Sequence, residues 1–289
     1  PLDLGGFGLS RFTFDHHLFQ IAEREGVEVW QRSSVSEVNF LGDHFELTTE
    51  KGAVEQARLV VGAFGKKSNL DLKLERNFTK ERSPFLGVKY HIRTDFPKDQ
   101  ISLHNFKNGY CGISAIEDGK YNLCYLGSRE DLRKHGSIGA MEDATVKKNP
   151  FLKSIYENSD FLFEKPEVIN EFSFKPKVLI EDHVLMLGDA AGLITPLCGN
   201  GMAMAIHGAK ILSEVINEHF NPKNFSREQL EKDYEHRWKN QFQKRLWVGR
   251  TTQKLFGAPI TSELAVIGMK AIPFLAKSIM KGTHGEPFQ

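Results

Sequence analysis

The spacing of apolar residues changes several times along the chain, and each change marks a new element. Phe14, Leu18, Ile21 and Ala22 recur at helical spacing. Thr13 stands where a capping side chain is wanted, Asp15 falls in the first turn, and Gly26 can end the helix. The run VEVW follows at once and reads as a strand, so the single Gly suggests a helix packed on a sheet. SSVSEVNFL, HFELTTE and ARLVVGAFG are strand-like, with LGD and KGA as turns. The last of these is continuously apolar, as in a strand buried on both faces.

From Phe85 the pattern alternates. FLGVKYHIRT, QISLHNF, GYCGISAIE and KYNLCYLG predict an antiparallel meander, with KNG and EDGK as hairpin signals. Residues 128–159 then read as helical, broken at Asn149-Pro150. EVINEFSF returns as strand, VLML as a buried strand, and Gly199-Asn200-Gly201 opens a helix running through Leu212. Helices are expected over 227–249 and 262–280, the second interrupted at Pro273. The expected fold is mixed α/β. A doubly wound layer occupies 1–83 and resumes at 178–220, an antiparallel sheet subdomain is inserted at 84–177, and a helical region closes the chain at 221–289.

Composition narrows the function classes. A formal net charge of +1 gives no whole-molecule field for nucleic acid or acidic lipid. Three cysteines, none in a C-x-x-C pair, argue against a disulfide framework and for a reducing, cytoplasmic setting. No apolar run is long and uncharged enough to cross a bilayer. His16, His17 and His207 lack a completing carboxylate cluster, so no metal site is expected. Cys198 reads as a small loop residue.

The candidate chemistry lies in HVLMLGDAAGLITPLCGNGMAMAIHGAKIL, residues 183–212. Gly188 and Asp189 follow a buried strand, where open α/β sheets bind ligands. Asp189 has only His183, at the margin, as a nearby basic residue, so its carboxylate needs hydrogen-bond donors, and ligand hydroxyls would serve. Gly199, Asn200 and Gly201 present bare backbone at a helix N-terminus, which favours an anionic or electron-rich edge.

The string GDAAGLITPLCGNGM resembles the second FAD-binding motif of the flavoprotein monooxygenase and geranylgeranyl reductase superfamily, the group of para-hydroxybenzoate hydroxylase. The resemblance implies that Asp189 meets a ribityl hydroxyl. Gly199, Asn200, Gly201 and Met202 would lie beside the isoalloxazine, and Pro196 would shape the loop on its face. SRFTFDHHLFQIAEREGVEV resembles the helix whose arginine lies near the cofactor phosphates, here Arg11, and Val35 falls where the family contacts adenine through its main chain. LVVGAFGKKSNL resembles the family's vvGADGxxS motif, with Phe64 in place of the aspartate associated with FAD and NAD(P)H handling.

The family's first motif, G-x-G-x-x-G after a strand, has no counterpart here; LGGFGLS follows no apolar strand. The opening PLDLGGFGLSRF reads as the interior of a longer sequence, and without the first motif the chain is expected to be inactive alone and to hold FAD weakly or not at all. Exposed apolar surface is expected near 27–33 and 184–187. The resemblance implies an FAD-dependent oxidoreductase, with NAD(P)H as candidate donor. Phe85, Tyr90, Phe106, Tyr110, Tyr121 and Tyr125 would form a wall for an apolar or aromatic substrate. The tryptophan signature of flavin halogenases is absent, which makes halogenation the least expected reaction. No catalytic acid or base stands out. The stretch 237–254 is rich in Lys and Arg, behind an apolar stripe of Tyr234, Trp238, Phe242 and Leu246. It is a solvated basic face or a docking surface for a membrane or an acidic carrier protein. The competing reading is a flavin-free binding or scaffold protein of the same fold.

Overall fold

The computed structural model describes residues 6–80, 83–170, 173–196, 199–221 and 225–253, with Phe274 and Gly282. The helical segment expected over 262–280, together with Cys198 and Lys254, lies outside the described residues but for Phe274. In chain order, helix α1 spans Arg11–Arg24, followed by strands β1 (Val35–Phe40), β2 (Phe45–Thr49), β3 (Val54–Ala57) and β4 (Val61–Gly62) and helix α2 (Asn69–Lys73). Strands β5 (Phe85–Arg93), β6 (Ser102–Phe106), β7 (Gly109–Ala115) and β8 (Tyr121–Ser128) precede helices α3 (Arg129–His135), α4 (Ile138–Ala144) and α5 (Pro150–Glu157). Strands β9 (Asp160–Phe161), β10 (Glu167–Asn170), β11 (Ile180–Glu181) and β12 (Val184–Met186) lead to helices α6 (Gly201–His219) and α7 (Arg227–Gln253). The described residues fall into two compact units, one of 6–31 and 83–170, the other of 32–80 and 173–253.

The first unit is built on an antiparallel sheet of order β10-β5-β8-β7-β6, with β9 also on β5. The two hairpins fall at the expected turns, but β5 pairs with β8 and not with β6. The link of residues 94–101, which turns at Pro97–Gln100, carries the chain to β6 at the far edge. Alternation holds along β5, where Leu86, Val88, Tyr90 and Ile92 are buried and their neighbours are not. Met141, Val146 and Leu152 from the helical segment close the core over that face. That segment breaks earlier than expected. Gly136 adopts the left-handed conformation at the end of α3, and Ser137 caps α4 anew.

Helix α1 departs from its expected role. Ser10, not Thr13, is the capping residue, and no residue of α1 is buried. Its start is tied to the β7–β8 turn, where the Ser10 N–H donates to Glu117 Oε2 at 2.8 Å and the Thr13 hydroxyl to Oε1 at 3.2 Å. Gly8 is required there, because a Cβ would stand 1.9 Å from the Ala115 carbonyl oxygen. The VEVW strand does not form. Val27, Val29 and Trp30 are 55%, 41% and 45% exposed, and no described strand supplies this segment with a hydrogen-bonded partner.

The second unit holds two three-stranded sheets, β1-β2-β3 and β11-β12-β4. Strand β12 is central in its sheet, antiparallel to β11 and parallel to β4. Val184, Leu185 and Met186 are therefore buried, against the exposed surface expected at 184–187. The stripe Tyr234, Trp238, Phe242 and Leu246 is buried on α7 as its spacing implies, within a core shared with Ile211, Leu212 and Val215 of α6. The Tyr234 hydroxyl donates to the Met186 carbonyl at 2.6 Å.

One buried charge shapes the first unit. Tyr90, Tyr125 and Tyr156 all donate to Glu142 Oε1, at 2.9, 3.0 and 3.2 Å. Burial raises the Glu142 pKa above its ordinary 4.5, and the three hydroxyls only partly oppose that rise. A raised carboxyl contributes stability that is fully present below the unfolded value and lost as pH rises through the folded one. Melting temperature should therefore fall as pH rises from about 4.5. Glu142→Gln should flatten that part of the profile in thermal melts; a slope identical to wild type would show that Glu142 is not its source.

Candidate functional site

The parallel pair β4–β12 sets the site. Leu185 lies opposite Val61 and Met186 opposite Gly62, so both strands end at the same level. A Cβ on Gly62 would crowd the side chains of Met186 and Phe64, each with an atom at 2.8 Å. Two loops leave the carboxyl ends side by side: Phe64 to Ser68 after β4, and Gly188 to Pro196 after β12. This is the crevice where open sheets place ligands.

Gly188, Asp189 and Ala190 form one 3₁₀ turn after Leu187. Gly188 takes φ +58, a conformation that L side chains rarely adopt. Gly188, Asp189, Gly192, Ile194, Gly201, Met204 and Trp238 line a cleft of about 240 Å³ that includes solvent-open space. Asp189 and the Gly199–Met202 segment are brought together here: a Cβ on Gly201 would lie 3.9 Å from Asp189 Oδ1. Helix α6 starts at Gly201 after Asn200, which makes no side-chain cap bond, and no acidic residue lies in its first turn. A long helix that opens on Gly brings its first N–H groups and the positive end of its dipole beside the Asp189 carboxylate. Bare glycine backbone beside a carboxylate fits a polyhydroxyl chain that continues into an electron-rich ring.

The remaining sequence candidates are distributed. Asn200 is buried, Pro196 and Gly199 are exposed, and Met202 is 38% exposed. Val35 opens β1 in the same unit, half-buried and opposite Thr49. Arg11 belongs to the first unit, exposed on α1 and paired with Asp15 at 2.9 Å. The aromatic wall does not stand as an open surface. Tyr90, Tyr110, Tyr121 and Tyr125 are buried, and Tyr90, Tyr121 and Tyr125 point their hydroxyls at Glu142 or the Phe96 carbonyl. On the basic stretch of α7, Arg237 pairs with Glu218 and Asp233, Lys239 with Glu235, and Arg245 is buried.

Four contributing residues carry no signal of their role in the motif. Trp238 reaches the cleft from α7; its four-residue stripe marked it as core, and nothing in that spacing pointed to Asp189. Gly192 leaves room for Trp238 and Leu246, since a Cβ would stand 3.0 Å from each. Arg76 and Asp71 form a buried ion pair at 2.8 Å, and Arg76 Nη2 donates to the carbonyls of Ala190 and Val178. The Ser68-x-x-Asp71 capping box, formed as its spacing allows, was the one legible signal of that pair.

No family model matches the chain. In sequence it is similar to a digeranylgeranylglycerophospholipid reductase of Methanococcus vannielii, 39% identical over 272 residues that cover 83% of this chain and 62% of that protein. It is also similar to kynurenine 3-monooxygenase of Flavobacterium johnsoniae, 22% identical with 73% of this chain and 51% of the relative covered. In fold it is similar to HpxO of Klebsiella pneumoniae, solved in complex with FAD, with a TM-score of 0.70, 17% identity, and 96% of this chain and 74% of that chain covered. Flavin-dependent halogenases share the fold as well. The chain spans 62% and 51% of the two curated relatives' lengths.

The Asp71–Arg76 pair yields a test of position and magnitude. Removing one partner of a buried ion pair leaves an uncompensated charge, at about 3–5 kcal/mol. Exposed pairs contribute about 0–1 kcal/mol. Asp71→Ala should therefore lower unfolding free energy in urea by several-fold more than Asp15→Ala, which breaks the exposed Arg11–Asp15 pair. Equal losses would mean that the Arg76 charge is solvated in solution.

Proposed function

We propose that this chain, which belongs with the flavoprotein monooxygenase and geranylgeranyl reductase superfamily, forms the part of an FAD site that meets the ribityl chain and the flavin ring, in an oxidoreductase. The observation that carries this reading is the approach of the Asp189 carboxylate to Gly201 at the start of α6, within one cleft. Asp189 accepts from ribityl hydroxyls, and the α6 N-terminus faces the electron-rich edge of the ring and favours negative charge there. The flavin supplies the hydride or oxygen chemistry when bound, and the protein positions it and tunes its charge.

For the substrate we infer an apolar molecule. The reading is supported by the similarity to a reductase whose name specifies a digeranylgeranyl lipid, and no longer by the tyrosines of the first unit, which are core. NAD(P)H is the donor we propose, engaged without a carboxylate at position 64, where Phe stands.

In a protein that carries this chain together with the first dinucleotide motif, titration with FAD should quench flavin fluorescence, and Asp189→Ala should weaken binding by roughly ten- to a hundredfold, from the loss of about 1.5–3 kcal/mol of charged acceptor. The ligand-free melt should barely move while FAD-induced stabilisation shrinks. A ligand-free melt that drops while the FAD increment survives would make Asp189 a turn residue and remove the main support for the assignment.

A further inference from the structure

Two cations hold the Gly188–Ala190 turn from behind. Arg76 takes the Ala190 carbonyl at 2.9 Å. Lys177 Nζ donates to the Asp189 carbonyl at 2.8 Å and to the Lys66 carbonyl at 2.9 Å. The ring of Phe78 lies against both, 4.2 Å from Lys177 Nζ and 5.1 Å from the Arg76 guanidinium carbon. The two cations differ in their counter-charge. Arg76 has Asp71 at 2.8 Å, whereas Lys177 forms no ion pair among the described residues and spends its bonds on carbonyl oxygens. Lys177 thus joins the two loops that leave the parallel strands, one of which carries Asp189.

We propose that Lys177 is a positioning residue for Asp189: its ammonium pins the Asp189 carbonyl against the loop after β4, sets the carboxylate toward Gly201, and weakens flavin binding when its charge is lost. This rests on the flavin reading above. An arginine stays charged at any ordinary pH, so Arg76 is a fixed clamp and Lys177 the adjustable one. Burial pushes the Lys177 pKa down to about 8, with Asp71 and Asp189 favouring the charge and Arg76 opposing it. Below that value the amine makes charge-assisted bonds to both carbonyls; above it the donor is neutral and weaker. Flavin affinity should therefore fall as pH rises through about 8. The same shift makes a buried lysine unfavourable for folding at neutral pH, a cost relieved only as pH rises from about 8 toward its ordinary 10.5. A neutral side chain would avoid that cost, so packing alone gives no reason for a lysine here.

The test, in a protein that carries this chain together with the first dinucleotide motif, follows FAD fluorescence quenching by wild type, Lys177→Met and Lys177→Arg between about pH 7 and about pH 9, a window that spans the shifted lysine. Wild type should bind FAD about fivefold to tenfold more weakly at the upper end. Lys177→Met should be about tenfold weaker at neutral pH and level across the range. Lys177→Arg should stay within about twofold of wild type at neutral pH and also be level, because its charge persists. Without ligand, the carbonyl ¹³C signals of Asp189 and Lys66 should shift together through about pH 8 in wild type and stay put in Lys177→Met. Far-UV circular dichroism and thermal melts establish that each variant is folded. A wild-type affinity that is level with pH and equal to that of Lys177→Met overturns the positioning role while the flavin reading stands. FAD left unquenched by wild type overturns the flavin reading and the affinity claim with it. Carbonyl signals that do not follow Lys177 overturn the clamp whatever the flavin does.

Discussion

A buried strand that ends in a tight turn leaves carbonyl groups that no ladder can satisfy, and the second unit is organised around meeting that demand. Strand β12 is three residues long and fully buried, and its neighbours β4 and β11 are two residues each. Beyond Met186 the ladder contributes only the Leu187 N–H bond to Gly62. The carbonyls of Asp189 and Ala190 then turn inward, where an unpaired acceptor costs about 1–3 kcal/mol. Cationic side chains bond both carbonyls. Because Arg76 and Lys177 also bond Val178 and Lys66, satisfying the turn draws together the segment before β11, the segment after α2 and the loop after β4.

Gly188 and Asp189 of the same turn also line the cleft. With its backbone held from behind, the turn presents Gly188 and the Asp189 carboxylate to the cleft, and Trp238 and Met204 close the floor. Two of the glycines have separate steric reasons: Gly188 supplies the left-handed turn, and Gly192 leaves room for Trp238.

The first unit meets the opposite problem with neutral groups. A carboxylate is buried at Glu142, and three tyrosine hydroxyls converge on one of its oxygens. In the second unit a carbonyl cluster receives cations; in the first, an acid receives hydroxyls. Hydroxyls stabilise charge less than a cation does, so Glu142 is held above its ordinary value. The aromatic side chains of the sheet are thereby committed to its interior.

Local pattern determined much of this by itself. The alternation of β5, the two hairpin turns from β6 to β8, the α7 stripe and the strand–Gly-Asp–helix order of 183–212 are periodicities of two and near four, or turn residues, and such signals act over a few positions. The Asp189–Gly201 approach was legible as a motif for the same reason. What tertiary structure decided depends on partners far apart in the chain. VEVW has the composition of a strand but no ladder partner among the described residues, and it stays irregular. Strand β5 passes over β6 to join β8, although the link between β5 and β6 itself turns at Pro97–Gln100. Arg76 and Lys177 stand 114 and 12 residues from the carbonyls they hold in the turn. A lysine in FKPKV or an arginine in LERN carries no periodic mark of burial. Their roles arise only when a parallel strand pair places two loop ends together and leaves backbone oxygens that need a donor.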